Sequence, residues 1–476
     1  MRAAIAVLCL VWGCTTPSST DAWTDSDRPE DSSSQDDEVA IAPVERVLVL
    51  GCGAAALSTA NLLHASSIDV VTLCEADEVG GLLSTVTVGA AAVDEGRTWI
   101  RSGSSPVSMN LLESAGITLV ERPERTPFVV EATLGEVPWK DFAVSRAALD
   151  ELIDTLPEVR DRVGPGEVVA TGVDEWLNVV NATEMTRQQV RFLVSQQLVG
   201  LEDGANADTV GLDAFQERSV SADDERFPLE GFGQLVDVLS DGLTIETGLS
   251  IISVAERPDV GVEVVTSAGV FTGSHVVVAL PVGVLQSGRV SIEPPLPSWH
   301  LAAQQGVGVG TIETVALVYE EAFWTEFLDR LALYVDHAGS TFPVFYDYTG
   351  VAGAPTLLAK VSGAAADELL TLSDEEIVLA ATDVLEQLVD VKPVPMPTAH
   401  HISRWSTDPA QLGSAVFLKP GATSEQLEVL ARPHGRILFA GSHTVPRFWG
   451  LLEGDLRSAA READRLGASL PGWAIP

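Results

Sequence analysis

Apolar residues along this chain fall into short continuous runs and helically spaced stretches that together predict an α/β architecture. Val47 to Leu50 is an unbroken apolar run, as expected of a strand covered on both faces. It runs into Gly51-Cys-Gly53-Ala-Ala-Ala56, after which apolar residues at Leu57, Ala60, Leu62 and Leu63 follow helical spacing. A second strand is predicted over Asp69 to Leu73, and others over Ile251 to Val254, Val262 to Thr266, Val270 to Leu280 and Thr314 to Tyr319. Between them, Val144 to Leu201 is helical in period, with Leu149, Leu152, Ile153 and Leu156 on one face and a further helix around Val190 to Gln197. No internal repeat is visible.

The strand, glycine turn and helix at the start carry chemistry. Gly51 permits a tight turn, Gly53 lets backbone approach a pyrophosphate, and the small Ala56 lets helix and strand pack closely. The helix N-terminus then offers free N–H groups and a positive dipole end to phosphates. The second strand ends at Cys74-Glu75, placing a carboxylate 24 residues beyond Gly51, where a nucleotide ribose offers hydroxyls. This context points to a dinucleotide.

Several motifs then give the chain a family resemblance: Glu75-Ala76 with Gly80-Gly81, Asp94-Glu-Gly96-Arg-Thr-Trp99-Ile100, Gly231-Phe-Gly233, Ile251 to Val254, and Val276 to Pro281. Phe323-Trp324, Arg404-Trp405, Gly413-Ser414 and Phe439-Ala440-Gly441 follow in order, and Leu452-Glu453-Gly454-Asp455-Leu456 opens a final helix. Over about residues 44 to 476 the chain resembles the flavin amine oxidase family, which includes monoamine oxidases, polyamine oxidases and histone lysine demethylases. The resemblance implies a Rossmann-type FAD-binding domain (44–120, 225–300 and 430–476) interleaved with an α+β substrate domain (121–224 and 301–429). It implies non-covalent FAD, with Gly51, Gly53, Ala56, Glu75, Gly80, Gly81, Gly96, Ile251, Gly441, Ser442, Glu453, Gly454, Asp455 and Leu456 as cofactor-binding candidates. The chemistry it implies is hydride removal from a carbon next to nitrogen, delivered to flavin N5, with oxygen as the final acceptor.

Against the family pattern, several charged and aromatic positions are changed. The lysine that holds a water at N5 is Thr314, so that position brings no positive charge and oxygen activation is expected to be weakened. The two rings that flank the substrate amine are Ala415 and Leu451. Trp405, Trp449 and Phe448 are the aromatic candidates to replace them, with Trp405 reading more readily as packing. Near the cofactor, the arginine after the diglycine is Leu82, the acid after Phe-Ala-Gly is Ser442, and the small residue after Gly454 is Asp455. An Asp455 carboxylate aimed at the ring would make the flavin harder to reduce.

Composition refines this picture. The first residues, Met1 to Gly13, hold a single arginine and a ten-residue apolar core, too short to span a bilayer. They read as a signal peptide, with Cys14 as a lipoprotein-type lipidated N-terminus or, alternatively, an ordinary secretory cleavage just downstream. Residues 14–43 read as a disordered acidic tether, carrying eight acids against Arg28. Such a chain is exported from a bacterial cytoplasm and membrane-anchored, otherwise periplasmic or secreted. The formal charge of −40 disfavours nucleic acid and anionic lipid and favours cationic small molecules. Of four cysteines, Cys52 and Cys74 fall at the ends of adjacent strands, where they could approach each other, and buried free thiols are the expected state. None lies in the C-terminal half, so a flavin thioether is ruled out, and no Cys/His spacing suggests a metal site. His400-His401 reads as surface.

The leading expectation is a FAD-dependent oxidoreductase acting on a small molecule. Two alternatives stay open: a flavin desaturase or dehydrogenase using an acceptor other than oxygen, and a binding lipoprotein that keeps the scaffold without turnover.

Overall fold

In the computed structural model, residues 43–474 are described apart from 122–127, 133–134, 138, 216, 218–224, 325–330, 336–341 and 390. The leader, Cys9, Cys14 and the acidic tether up to residue 42 lie outside the described residues. In chain order, the elements that build the site are β1 (Arg46–Leu50), α1 (Ala54–Ala65), β2 (Asp69–Leu73), β3 (Ile245–Glu246) and β4 (His275–Val278). They continue with β5 (Ile312–Val318), β6 (Thr356–Ser362), β7 (Ala399–Ile402), β8 (Ile437–Phe439) and α2 (Leu452–Arg465).

β1 lies at the centre of a five-stranded parallel sheet of order β3-β2-β1-β4-β8. Val47 to Leu50 are buried because helices or a second sheet cover both faces of this layer, which is why the run is continuously apolar. α1 and α2 pack on one side through Ala60, Leu63, Ala460 and Ala463, and their alanines allow a close approach. On the other side lies an antiparallel layer that includes Ile251–Arg257 and Gly261–Thr266. The apolar stretch Val270 to Leu280 is two strands, Gly269–Gly273 and β4, because the chain leaves one sheet and enters the other at Ser274.

A seven-stranded sheet carries the other half of the site, with β7-β5-β6 at one end followed by Val344–Asp347, Leu331–Val335, Phe128–Glu131 and Gly135–Glu136. β5 and β6 are antiparallel with Thr314 directly opposite Lys360. Helices Trp139–Asp154, Leu156–Val163, Val169–Val179 and Glu184–Leu193 cluster beside this sheet, where Leu149, Leu152 and Leu156 enter one core as their spacing predicts. Among the described residues, no helix is long and apolar enough to cross a membrane.

Candidate active site

The glycine turn after β1 has the geometry the sequence predicts. Gly51 has φ +112°, and a Cβ there would lie 2.5 Å from the Ala279 carbonyl oxygen, so the turn is confined to glycine. Gly53 differs: a Cβ would meet nothing within 4 Å, so the backbone faces open space. No side chain caps α1, leaving the first-turn amides at Ala54 and Ala55 on the wall of a cavity that Glu75, Gly441 and Ser442 also line. Ala56 is fully buried beneath the turn, and Gly81 packs against the Cα of Gly53.

Glu75 is fixed by Arg289, whose two terminal nitrogens grip its two oxygens while one also donates to the Pro409 carbonyl at 2.8 Å. Cys52 and Cys74 are joined as a disulfide rather than free thiols. The bond follows from the topology: parallel neighbours β1 and β2 end side by side, with Cys52 and Cys74 Cα atoms 5.2 Å apart. It ties the phosphate turn to the residue preceding Glu75.

Other candidates act from behind the cavity or away from it. Ile251 and Leu456 are core residues, and Gly454 packs against the Phe448 carbonyl. The buried Glu453 carboxylate accepts from the Val107 and Ser108 amides at 3.3 and 2.9 Å and pairs with Arg457, so it caps the helix Pro106–Ser114 behind the cavity wall. Its acceptor lone pairs are spent on that helix.

A second cavity adjoins the first, and Leu82, Arg97, Ser414, Ala415 and Gly450 line both. Ala415 and Leu451 are on its wall, so the two ring positions are open as the sequence indicates. None of the three proposed replacements stands there, and Phe448 lies against the Arg457 guanidinium, its ring centroid 4.6 Å away. Trp449 is buried in a core with Leu427 and Leu430, and Trp405 is locked by its indole N–H on the Glu95 carbonyl at 3.1 Å. The aromatic wall is Trp99, which stacks toward Phe227 and Tyr346 at 6.2 and 5.8 Å. Gly96 lines this second cavity; a Cβ there would lie 2.6 Å from the Leu82 carbonyl oxygen.

The charges missing from Thr314, Ser442 and Leu82 return from facing segments. Lys360, opposite Thr314 on β6, donates from Nζ to Thr314 Oγ1 at 2.6 Å and to the Gly96 carbonyl at 2.9 Å. Thr314 in turn donates to the Glu95 carbonyl at 2.7 Å. The expectation that this place lacks a cation is therefore corrected: directly opposed side chains of antiparallel strands share one face, so a lysine on β6 delivers its ammonium beside position 314. Burial pulls Lys360 down to about 7, with Asp94 and Glu313 opposing that shift.

Asp455, in the first turn of α2, accepts from the Ser442 backbone N–H at 2.8 Å, so a carboxylate reaches the position that Ser442 leaves without one. Its other oxygen faces Arg97 at 3.5 Å, and burial raises its pKa while Arg97 lowers it. The carboxylate is thus held by Ser442 and Arg97, which settles where it points. Arg97 donates to the Gly450 carbonyl at 3.0 Å, and its backbone N–H bonds the Leu82 carbonyl at 2.7 Å. Its Nε is buried without a partner.

Open space over Gly53, uncapped α1 amides, a fixed ribose-type acceptor in Glu75 and an orphaned guanidinium nitrogen fit a large anionic dinucleotide. The profile of the family described as "Flavin containing amine oxidoreductase" matches residues 55–467. The chain belongs to the flavin-containing amine oxidoreductase family. Lysine-specific histone demethylase 2 of Homo sapiens is 26% identical over 449 residues, covering 89% of this chain and 53% of the relative. Polyamine oxidase 2 of Arabidopsis thaliana is 25% identical over 428 residues, covering 86% and 85%. The chain spans about half the length of the histone demethylase. Among solved structures, a putrescine oxidase bound to putrescine has the same fold, with a TM-score of 0.71 at 20% identity over 89% of this chain and 99% of that one.

The family is flavin-containing, so the cofactor of this member is a flavin. The cysteine on the cavity wall, Cys52, is committed to its disulfide. Lys360, Arg97, Arg289 and Trp99 were absent from the site candidates. A lysine inside the apolar strand Thr-Leu-Leu-Ala-Lys-Val-Ser was the signal that could have found the first.

Proposed function

We propose that this flavin-containing amine oxidoreductase oxidises a small-molecule amine, taking a hydride equivalent from the carbon next to nitrogen. The observation that carries this reading is the junction of the two cavities, bordered by Arg97, Ser414 and Ala415, with Lys360 Nζ on the second. Bound FAD supplies the two-electron acceptor. The α1 amides and Glu75 would hold its adenosine diphosphate, Arg97 and Asp455 place a fixed charge pair near the junction, and Leu451, Ala415 and Trp99 give the second cavity an apolar face. Lys360 holds a proton-carrying nitrogen on the wall, its position set by two oxygens. Preorganised charge of this kind stabilises charge that develops during reaction.

The presence of that cation supports oxygen as final acceptor over the dehydrogenase alternative. Export is supported by the Cys52–Cys74 disulfide, since such bonds persist in oxidising compartments and are rare in the cytosol. The interleaved division at residues 120, 224, 300 and 429 is part of this reading, and it is supported by the strands of the parallel sheet and those of the seven-stranded sheet falling in different segments. The test is anaerobic mixing of purified holoprotein with a panel of amines, followed by air. Bleaching of the flavin band with peroxide release on reoxygenation is expected. Bleaching that reverses with a dye and not with air would favour the dehydrogenase, and no bleaching by any amine would favour the binding protein.

A further inference from the structure

Arg289 ties together two parts of the cofactor cavity without standing on its wall. Its Nη1 and Nη2 each donate to one oxygen of Glu75, and Nη2 also donates to the Pro409 carbonyl at 2.8 Å. Glu75 follows β2, whereas Pro409 belongs to segment 408–413, which lines the cavity through Ala410, Gln411 and Gly413. That segment is pressed against the short helix Val282–Gln286, where a Cβ on Gly283 would lie 2.5 Å from the Leu412 carbonyl oxygen. Gly288, with φ +71°, turns the chain after this helix and brings Arg289 to the join.

A carboxylate has about four acceptor positions and a two-pronged guanidinium uses two of them, so Glu75 keeps about two for the hydroxyls of a ribose. The fork also fixes the plane of the carboxylate, which a single hydrogen bond would leave free to turn. An unpaired carboxylate here would repel an anionic dinucleotide; paired with a guanidinium, it is a neutralised acceptor. The side chains are 28% and 11% exposed, which puts the pair at a rim where a loosely held ion pair contributes little. Two-point geometry and the third bond, to Pro409, make this one rigid. Arg289 Nε is buried with no hydrogen-bond partner, a cost that stability alone does not explain.

We propose that Arg289 is a positioning residue for the cofactor: by holding Glu75 in one plane it makes the adenosine end selective, so that the protein keeps FAD against a flavin that ends at its first phosphate. This rests on the FAD reading above. Flavin mononucleotide (FMN) shares the ring, the ribityl chain and one phosphate with FAD, and has nothing to offer Glu75. Comparing the two flavins therefore isolates the adenosine end, while a general loss of folding or of ring binding cancels from their ratio.

The experiment equilibrates holoprotein with a graded excess of FMN, separates bound from free flavin and reads the ratio of FAD to FMN that stays bound. Wild type is expected to retain FAD. Arg289→Met should shift the exchange constant toward FMN at least about tenfold, the order expected when a hydrogen bond to a charged group is lost. Arg289→Lys keeps the charge and loses the fork, and should fall between the two. Added to Glu75→Gln, the methionine substitution should shift the constant no further, since the arginine acts through that carboxylate. An exchange constant unchanged by Arg289→Met, or moved just as far by it when Glu75 is already glutamine, would overturn the proposal. If the methionine variant yields no folded protein, Arg289→Lys decides: a constant equal to wild type overturns the proposal and an intermediate one supports it. Wild-type holoprotein with no preference for FAD would remove the FAD reading and this proposal with it, and that outcome is told apart because it appears before any substitution is made.

Discussion

The two ends of the cofactor cavity were built under different rules. At the adenosine end, Gly51, Gly53 and Glu75 stand at the sequence positions where the motif demands them, and the structure puts them on one wall. At the junction with the second cavity, Leu82, Thr314 and Ser442 have given up their charges, and Arg97, Lys360 and Asp455 supply them from facing segments. A turn that must let backbone touch a phosphate leaves no alternative residue. A charge can be delivered from any element whose side chain ends in the right place.

Breaking the adenosine end should have the largest effect. In Gly53→Asp a side chain and a negative charge fill the space over the turn, so the purified protein should be colourless and release no FAD on denaturation. A yellow Gly53→Asp protein would show that the cavity holds its flavin by other means.

The disulfide sharpens the same end. Cys52→Ser with Cys74→Ser opens a loop spanning 22 residues of sequence separation, which should cost about 3 kcal/mol of stability by the chain-entropy account. Calorimetry of the oxidised and reduced wild type and the double variant checks this, and FAD affinity should fall as the turn and Glu75 lose their tether.

At the junction, Arg97→Met removes the partner of Asp455 and strands a buried carboxylate. FAD affinity is expected to drop about tenfold, roughly the 1–3 kcal/mol lost when a charged hydrogen-bond partner is removed. Arg97→Lys should recover only part, because a point charge cannot serve Gly450 and Asp455 in one fork. An unchanged dissociation constant in Arg97→Met would place that guanidinium outside the cofactor's reach.

This contrast also explains what could be read from the chain. β1, α1, β2, the turn and the open ring positions at Ala415 and Leu451 were legible because each is a local pattern or a fixed position. Lys360 was not, because its relation to Thr314 is a strand register 46 residues away in sequence. The partners of Glu453 were hidden for a related reason: Val107 and Ser108 begin a helix over 340 residues earlier. Cys52 and Cys74 were legible as the ends of adjacent strands, but the bond between them depends on a Cα separation of 5.2 Å that the register of β1 and β2 sets. Trp405 and Trp449 were candidates by proximity in sequence, and their side chains turn into the core.

The exchange between β5 and β6 is the claim that most needs testing, and stopped-flow reoxidation of chemically reduced holoprotein tests it without knowing the substrate. Lys360→Thr should slow reaction with oxygen at least about tenfold, within the several kcal/mol that a preorganised charge in a dry site supplies. Returning the lysine to the facing strand, in Thr314→Lys with Lys360→Thr, should restore most of the rate, since both arrangements end in one ammonium between the same two strands. Wild-type reoxidation in Lys360→Thr, or a double variant as slow as Lys360→Thr alone, would contradict the account.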